Sequence, residues 1–400
     1  MRTTAWTASA SFSAPIQGLK LGIPGRIFVS RNASLDVPVR AVVQSDSHEV
    51  LRIIQWKIDE EEAVDGTRRS LLSATLAPSK LELIDAIGSF VIDIALRDPV
   101  HQVTTSAETI LTTGTLVNAP NESVDVRSYD SSKVFIESSD PIQLDTLTLE
   151  TKDLGLIQLR SPIVNITGQL SLVSKDNGAI AIQSEDIVLD GLSSNAKDGG
   201  AVYVTANNLF QATHMFSKAS DCGSINIYPR GQCQDSSIHA SETGRVNVGS
   251  VACETVDARL KDAGDAIVQA VLSLKTKTSD GGSIQYFNST PTLVLGKRGR
   301  HKRSSRVAET RDNKFDRFSF LLLPPHEPSG ISVLFNRGDE IYIPNYGSFV
   351  QPPVALASTF SRAGGYEGVA LLGALCVMLA IGFAVMKIRR RRQGYSPVLH

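Results

Sequence analysis

Cysteine, aromatic residues, net charge and long apolar runs are all scarce in this chain, and each scarcity excludes a class of protein. Four cysteines in 400 residues are too few for a disulfide-framework domain. Cys222, Cys233 and Cys253 lack the paired C-x-x-C-like clusters of a zinc site. Aromatics make up 6%, which leaves little for a base-stacking platform. The net charge of -1 lacks the basic excess that neutralising a phosphate backbone requires, so no nucleic-acid partner is expected. H-E-x-x-H, G-x-S-x-G and the P-loop are absent. The histidines (His48, His101, His214, His239, His301, His326 and His400) are scattered without convergent spacing. No catalytic residue, metal or cofactor is therefore assigned. Residues 1–20 are rich in Ser, Thr and Ala and hold no apolar stretch of the length a secretory leader needs. Two routes stay open, a start lying upstream or insertion through the C-terminal segment.

What is present is one phrase that keeps returning: acid, any residue, Gly, any residue, apolar, any residue, apolar. It reads Asp153-Leu-Gly155-Leu-Ile-Gln-Leu159, then begins again at Asp176, Asp198, Asp221, Glu242 and Asp280, with Gly178, Gly200, Gly223, Gly244 and Gly282 at the third position. Two looser copies start at Asp130, with Ser132 in place of Gly, and at Asp262. The third positions fall at 132, 155, 178, 200, 223, 244, 264 and 282, so successive steps run from 18 to 23 residues. A fixed period of this length marks a solenoid.

The phrase also says how a coil is built. Alternation after the glycine is a short strand with one buried face. Glycine there permits a positive φ, and the acid can bond its own backbone in a turn. Further strands fit between copies, at Ile142–Leu149, Ile163–Ile166, Leu170–Val173 and Ile187–Leu189. The expected fold class is all-β, a β-solenoid (β-helix) whose eight coils would stack over roughly 38 Å. Stacking would bring Asp130, Asp153, Asp176, Asp198, Asp221, Glu242, Asp262 and Asp280 onto one edge. Such a ladder has two readings: a turn position that prefers Asp, or paired carboxylates for glycoside chemistry or calcium. Turn chemistry accounts for it without invoking either.

The rest of the chain divides by composition. Residues 1–20 are expected to be unstructured. Residues 21–120 read as a β-rich cap, with strands at Arg26–Ser30, Asp36–Val43, Val50–Ile58 and Ser89–Leu96, a solvated turn at Asp59–Glu62 and a short helix at Lys80–Ala86. The repeats span 121–290, an exposed basic loop 291–312, closing strands 313–350 (including Phe315–Leu323) and a stalk 351–367. Gly368–Met386 is uncharged and apolar over 19 residues, enough for one transmembrane helix. Lys387 and Arg389–Arg392 follow it, which places the tail 387–400 in the cytoplasm and the solenoid outside. The lipid bilayer is thus an expected partner.

Several short motifs depend on that topology. Asn32, Asn121, Asn165 and Asn288 head N-glycosylation sequons on the outer side. In an oxidising compartment Cys222 and Cys233 form the natural loop pair, leaving Cys253; three thiols is the alternative. Arg300-His-Lys-Arg303 before Ser304 has the R-x-K-R form of a convertase site, with cleavage after Arg303; a solvated loop or a nuclear-import-like patch has the same composition. Tyr395-Ser-Pro-Val398 matches the Y-x-x-apolar form read by clathrin adaptors.

The strands Gly223-Ser-Ile-Asn-Ile227 and Gly282-Ser-Ile-Gln-Tyr286 resemble the adhesin domain of the domain-of-unknown-function 4097 type (DUF4097). That family has drifting β-coils with Gly-Ser-Ile phrases, and the resemblance covers residues 120–290 or so. It implies a β-helical, extracellular or membrane-associated domain with an adhesive role and no catalytic residues to carry over. The expected function is therefore a non-enzymatic, single-pass protein of the plasma membrane or endolysosome that binds an extracellular glycan or protein. The alternatives are a membrane-tethered polysaccharide-active β-helix enzyme and a tail-anchored protein with a cytosolic solenoid.

Overall fold

The computed structural model describes residues 6–62, 68–76, 84–279, 281–288, 290–298, 306–336 and 339–343. The chain divides into two units, Met1–Tyr346 and Gly347–His400. The second lies outside the described residues, and with it the expected stalk, the span Gly368–Met386 and the Tyr395–Val398 motif. Among the described residues no helix is long and apolar enough to cross a membrane.

The repeat folds as a β-solenoid. In the stretch Leu156–Ser174, Leu156–Ser161 stacks in parallel on Ala179–Ser184, Ile163–Ile166 on Asp186–Leu189, and Gln169–Ser174 on Gly191–Ala196. These are the first, second and third faces of a coil. Pro162 falls at the first bend, outside the ladder, where its missing N–H removes no ladder bond. The next bend shifts the register between Ile166 and Gln169, and the third is the acid-x-Gly corner.

Alternation decides which side chains point inward. On the first face Val134, Ile157, Ile180, Val202, Ile225, Val246, Ala266 and Ile284 are successive register partners. All are buried, and each is the first apolar residue of its phrase. Burying one Val or Ile side chain contributes about 1.5–3 kcal/mol, an upper figure because an unfolded chain already hides some surface. No coil buries its apolar side alone, so the repeats are stable only as a stack.

The parallel stack reaches into the leading segment. Gly18–Gly22 pairs with Gln102–Thr105, and Arg26–Arg31 with Glu108–Leu111. Around that end the chain turns antiparallel, with Trp6–Phe12 on Val39–Ser45, Val39–Ser45 on Ile84–Leu96, and Ile54–Glu62 on Arg68–Leu76. The coil edge itself is covered in parallel, by Arg68–Leu76 on Gly18–Gly22 and by Ile84–Leu96 on Arg26–Arg31, so it is not left unpaired.

Local expectations change here. Residues 6–12, expected to be unstructured, form a strand because Val39–Ser45 offers them an edge. The strand expected from Val50 begins instead as the helix His48–Ile53, where Ser47 accepts a hydrogen bond from the Val50 N–H at 3.5 Å and Glu49 lies in the first turn. Asp59–Glu62 ends a strand, with Glu61 opposite Arg69 in the register, and opposite charges across a ladder are favourable. Of the expected helix at 80–86, residues 80–83 lie outside the described residues and Ile84 onward is strand. The expected loop 291–312 contains the strands Leu293–Arg298 and Arg306–Thr310; Arg303, between them, lies outside the described residues. Phe315–Leu323 joins no ladder.

Candidate functional site

The repeat makes its acid-x-Gly corners candidate site residues. Each closes with a hydrogen bond from the glycine N–H to the carbonyl three residues back, as in Gly178 to Lys175 at 2.9 Å and Gly200 to Lys197 at 2.9 Å. The left-handed residue is the acid and not, as expected, the glycine. Asp130, Asp153, Asp176, Asp198, Asp221, Glu242 and Asp262 have φ between 49 and 60°. At three corners the next residue is left-handed as well (Asn177, Gly199 and Cys222), the pattern of a type I′ turn. Short polar side chains tolerate this region best, which explains the Asp at six of these seven positions.

The glycines are required for a different reason. A Cβ on Gly200 would lie 2.3 Å from the Ser174 carbonyl oxygen; on Gly223, 2.3 Å from that of Ala196; on Gly244, 2.4 Å from that of Ala219. On Gly155 it would meet the Ser128 carbonyl oxygen at 2.8 Å, on Gly178 the Thr151 hydroxyl at 2.6 Å, and on Gly282 the Leu260 Cβ at 2.9 Å. The corner thus packs on the backbone of the preceding coil. Where the first copy has Ser132, its hydroxyl donates to the Thr105 carbonyl at 3.1 Å.

The corner acids line one exposed edge. The Glu242 carboxyl is pushed up by its hydrogen bond with Asp221 and by that residue's charge. Lys197 is held above its ordinary range by its hydrogen bond and ion pair with Asp198, with Asp221 and Asp176 adding to the field. Among the described residues no group of three or more His, Cys, Asp or Glu is placed to hold a metal ion.

The faces differ sharply. On the first face the outward column Phe135, Gln158, Ala181, Tyr203, Asn226, Asn247 and Ile267 follows the register. Outward residues of a sheet are usually wet, yet Phe135 is 1%, Gln158 0%, Ala181 0% and Asn226 0% exposed. The segment 311–328 lies across this face as a strap, its backbone bonded by Asn226, Tyr228 and Gln158 and Phe318 packed on Tyr203. On the third face the column Thr148, Ser171, Ser193, Phe216, Ser237, Asp257 and Lys275 is open or half-open. Beside it run Asn195, Lys218, His239, Arg259 and Lys277. Burial of Asp257 opposes its ionisation, but hydrogen bonds from Arg259 and Lys275 outweigh it and lower its carboxyl. Burial and the Arg259 charge push the His239 imidazole down.

Cys233 and Cys253 form a disulfide, with Cα atoms 4.4 Å apart, and Cys222 is free and exposed. This corrects the expected Cys222–Cys233 pair. Cys222 sits on a corner, whereas Cys233 and Cys253 are register partners on adjacent coils. Of the sequon asparagines, Asn32, Asn121 and Asn288 are exposed and Asn165 is half-buried on the second face. A cavity of about 260 Å³ opens where residues 112–118 loop outward, floored by Ile142, Leu144, Leu147 and Leu159. Sequence reasoning gave no sign of the cavity or of the strap.

No protein-family model and no curated protein matches the chain. Solved structures do resemble it. One is a putative adhesin from Parabacteroides merdae, at 13% identity and a TM-score of 0.38, covering 78% of this chain and 98% of that one. Another is a putative adhesin from Parabacteroides distasonis, at 12% identity and 0.33, covering 77% and 97%. A third is a putative lipid binding protein from Parabacteroides distasonis, at 10% identity and 0.31, covering 78% and 98%.

Proposed function

We propose that this chain is a non-enzymatic, adhesin-like binding protein of the domain-of-unknown-function 4097 type. Its solenoid is held on the outer or lumenal side of a membrane by the span Gly368–Met386 and presents its third face to an extracellular glycan or protein. One contrast carries this reading: the first face is covered by the chain's own strap, while the third presents polar and charged columns, coil after coil, to solvent. The register-matched Cys233–Cys253 disulfide supports an oxidising compartment over the cytosolic alternative, since structural disulfides are rare in cytosolic proteins. The corner acids have a sufficient role in the left-handed turns, which weakens the polysaccharide-enzyme alternative. Cleavage after Arg303 and adaptor binding at Tyr395 belong to the same topology.

Beads coated with the protein test the binding face on cultured cell layers. Ser171→Arg combined with Ser193→Arg, both on the third face, should lower adhesion at least about tenfold, the loss expected when central contacts of an interface are blocked. Leu154→Arg, at an exposed corner position, should leave it unchanged. Equal adhesion by the two variants would remove the third face from the reading. A glycosidase-dependent mass shift on the cell-expressed chain tests the topology separately; four unmodified sequons would contradict the outward placement.

A further inference from the structure

The strap is attached to the first face in a way that resembles ligand recognition more than loop packing. It runs back along the stack, from the coil of Arg245–Leu260 to the cap. Asn313 donates to the Ser250 hydroxyl at 2.6 Å, and the Asp316 N–H donates to the Asn226 side-chain oxygen at 2.9 Å. The Phe318 N–H donates to the Tyr228 hydroxyl at 3.0 Å. Gln158 then bonds both backbone groups of one residue: its amide accepts from the Leu321 N–H at 2.9 Å and donates to the Leu321 carbonyl at 3.0 Å. Arg26 donates to the carbonyls of Pro325 and Glu327 at 2.9 and 3.2 Å, and His326 meets Asp93 at 2.6 Å.

Between these anchors the strap's aromatic rings dock on the face. Phe315 stacks on Tyr228 with centroids 4.7 Å apart and an interplanar angle of 8°. Phe318 packs on Tyr203 at 5.3 Å, and the Arg160 guanidinium lies 4.9 Å from the Phe320 ring centre. Burial beneath the strap and the Asp316 charge hold the Tyr203 hydroxyl above its ordinary range. At either end the segment becomes a ladder strand: Arg306–Thr310 pairs in parallel with Ser283–Phe287, and 329–335 pairs antiparallel with 84–90. Main-chain bonds from fixed side chains, sites for alternate side chains and strand addition are the means by which protein surfaces bind extended peptides.

We propose that the first face is a peptide-recognition track whose ligand is this chain's own segment 306–336, bound tightly enough that its covalent link to the strand Leu293–Arg298 is dispensable. A chain cut between those two strands stays one particle. Cutting there does not release the solenoid from whatever the C-terminal part is attached to. The inference does not depend on the binding role of the third face, because its test reads association of the two pieces alone.

The experiment uses the full chain with a site-specific protease sequence in place of residues 299–305, cut to completion and captured through a C-terminal tag. Both pieces should be retained in native buffer and separate in denaturant. A labelled synthetic peptide spanning 306–336 should exchange into the cut protein. Gln158→Met with Tyr228→Phe removes three of the hydrogen bonds and leaves the ladders, and it should speed release of the cut piece at least about tenfold. Phe320→Ala, on the strap itself, should also speed release while leaving every solenoid residue as it is. Separation of the pieces in native buffer would overturn the proposal. So would release rates unchanged by both variants, which would leave the track's side chains without a role.

Discussion

Gly200→Val is expected to cost about 3 kcal/mol or more of stability, combining overpacking with a lost turn. The new Cβ would lie 2.3 Å from the Ser174 carbonyl oxygen, 2.6 Å from its carbon and 2.9 Å from the Lys197 carbonyl oxygen. All three are backbone atoms, so no flexible side chain can yield. Relief requires moving the corner off the preceding coil, which breaks the bonds from Ala201 N–H to Gly178 and from Ser224 N–H to the Gly200 carbonyl. Because each coil stacks on its neighbours, a fault at one corner weakens the stack on both sides. Thermal unfolding should show a midpoint lowered by about 4 °C or more. Leu154→Val, at a corner position 62% exposed, should leave the midpoint unchanged.

Phe210→Ala is expected to cost about 3–5 kcal/mol, the range for emptying a buried aromatic site. Phe210 is 0% exposed and is one of the largest fully buried side chains. Its position also explains Gly231 on the adjacent coil, where a Cβ would approach the Phe210 Cδ1 to 2.7 Å and its Cβ to 2.8 Å. Glycine leaves the space and phenylalanine fills it. Gly231→Ala alone should therefore destabilise through a clash, and the double variant should recover only the part due to Cδ1, because the residue-210 Cβ and carbonyl oxygen, 2.8 and 2.9 Å from the new Cβ, remain. Denaturant midpoints of the three variants measure that coupling.

How much of this was legible depended on how local the cause was. The period, the strand after each glycine and its two inward residues follow from neighbouring residues, and Ile157, Ile180, Val202 and Ile225 are buried as the alternation requires. Which corner residue is left-handed was not legible in the same way. Aspartate tolerates that conformation, while the need for Gly200 comes from Ser174 on the coil beneath. The disulfide shows the same limit. Cys222 lies nearer to Cys233 in sequence, but in a solenoid the spatial neighbour is one repeat away, and Cys253 lies 20 residues on. That separation falls within the repeat period and was the signal available. The strap left none. Phe315, Phe318 and Phe320 suggest a strand, yet the backbone of this segment is held at Asp316, Phe318 and Leu321 by the side chains of Asn226, Tyr228 and Gln158.

Stacking of coils one repeat apart is tested most directly by mapping the cysteines. Mass spectrometry of a non-reduced digest, made after alkylation of the native protein, should find Cys233 linked to Cys253 and Cys222 alkylated. A Cys222–Cys233 link would place the strand Gly231–Ala240 out of register with Arg245–Leu260, and would contradict the stacked-coil fold at its centre.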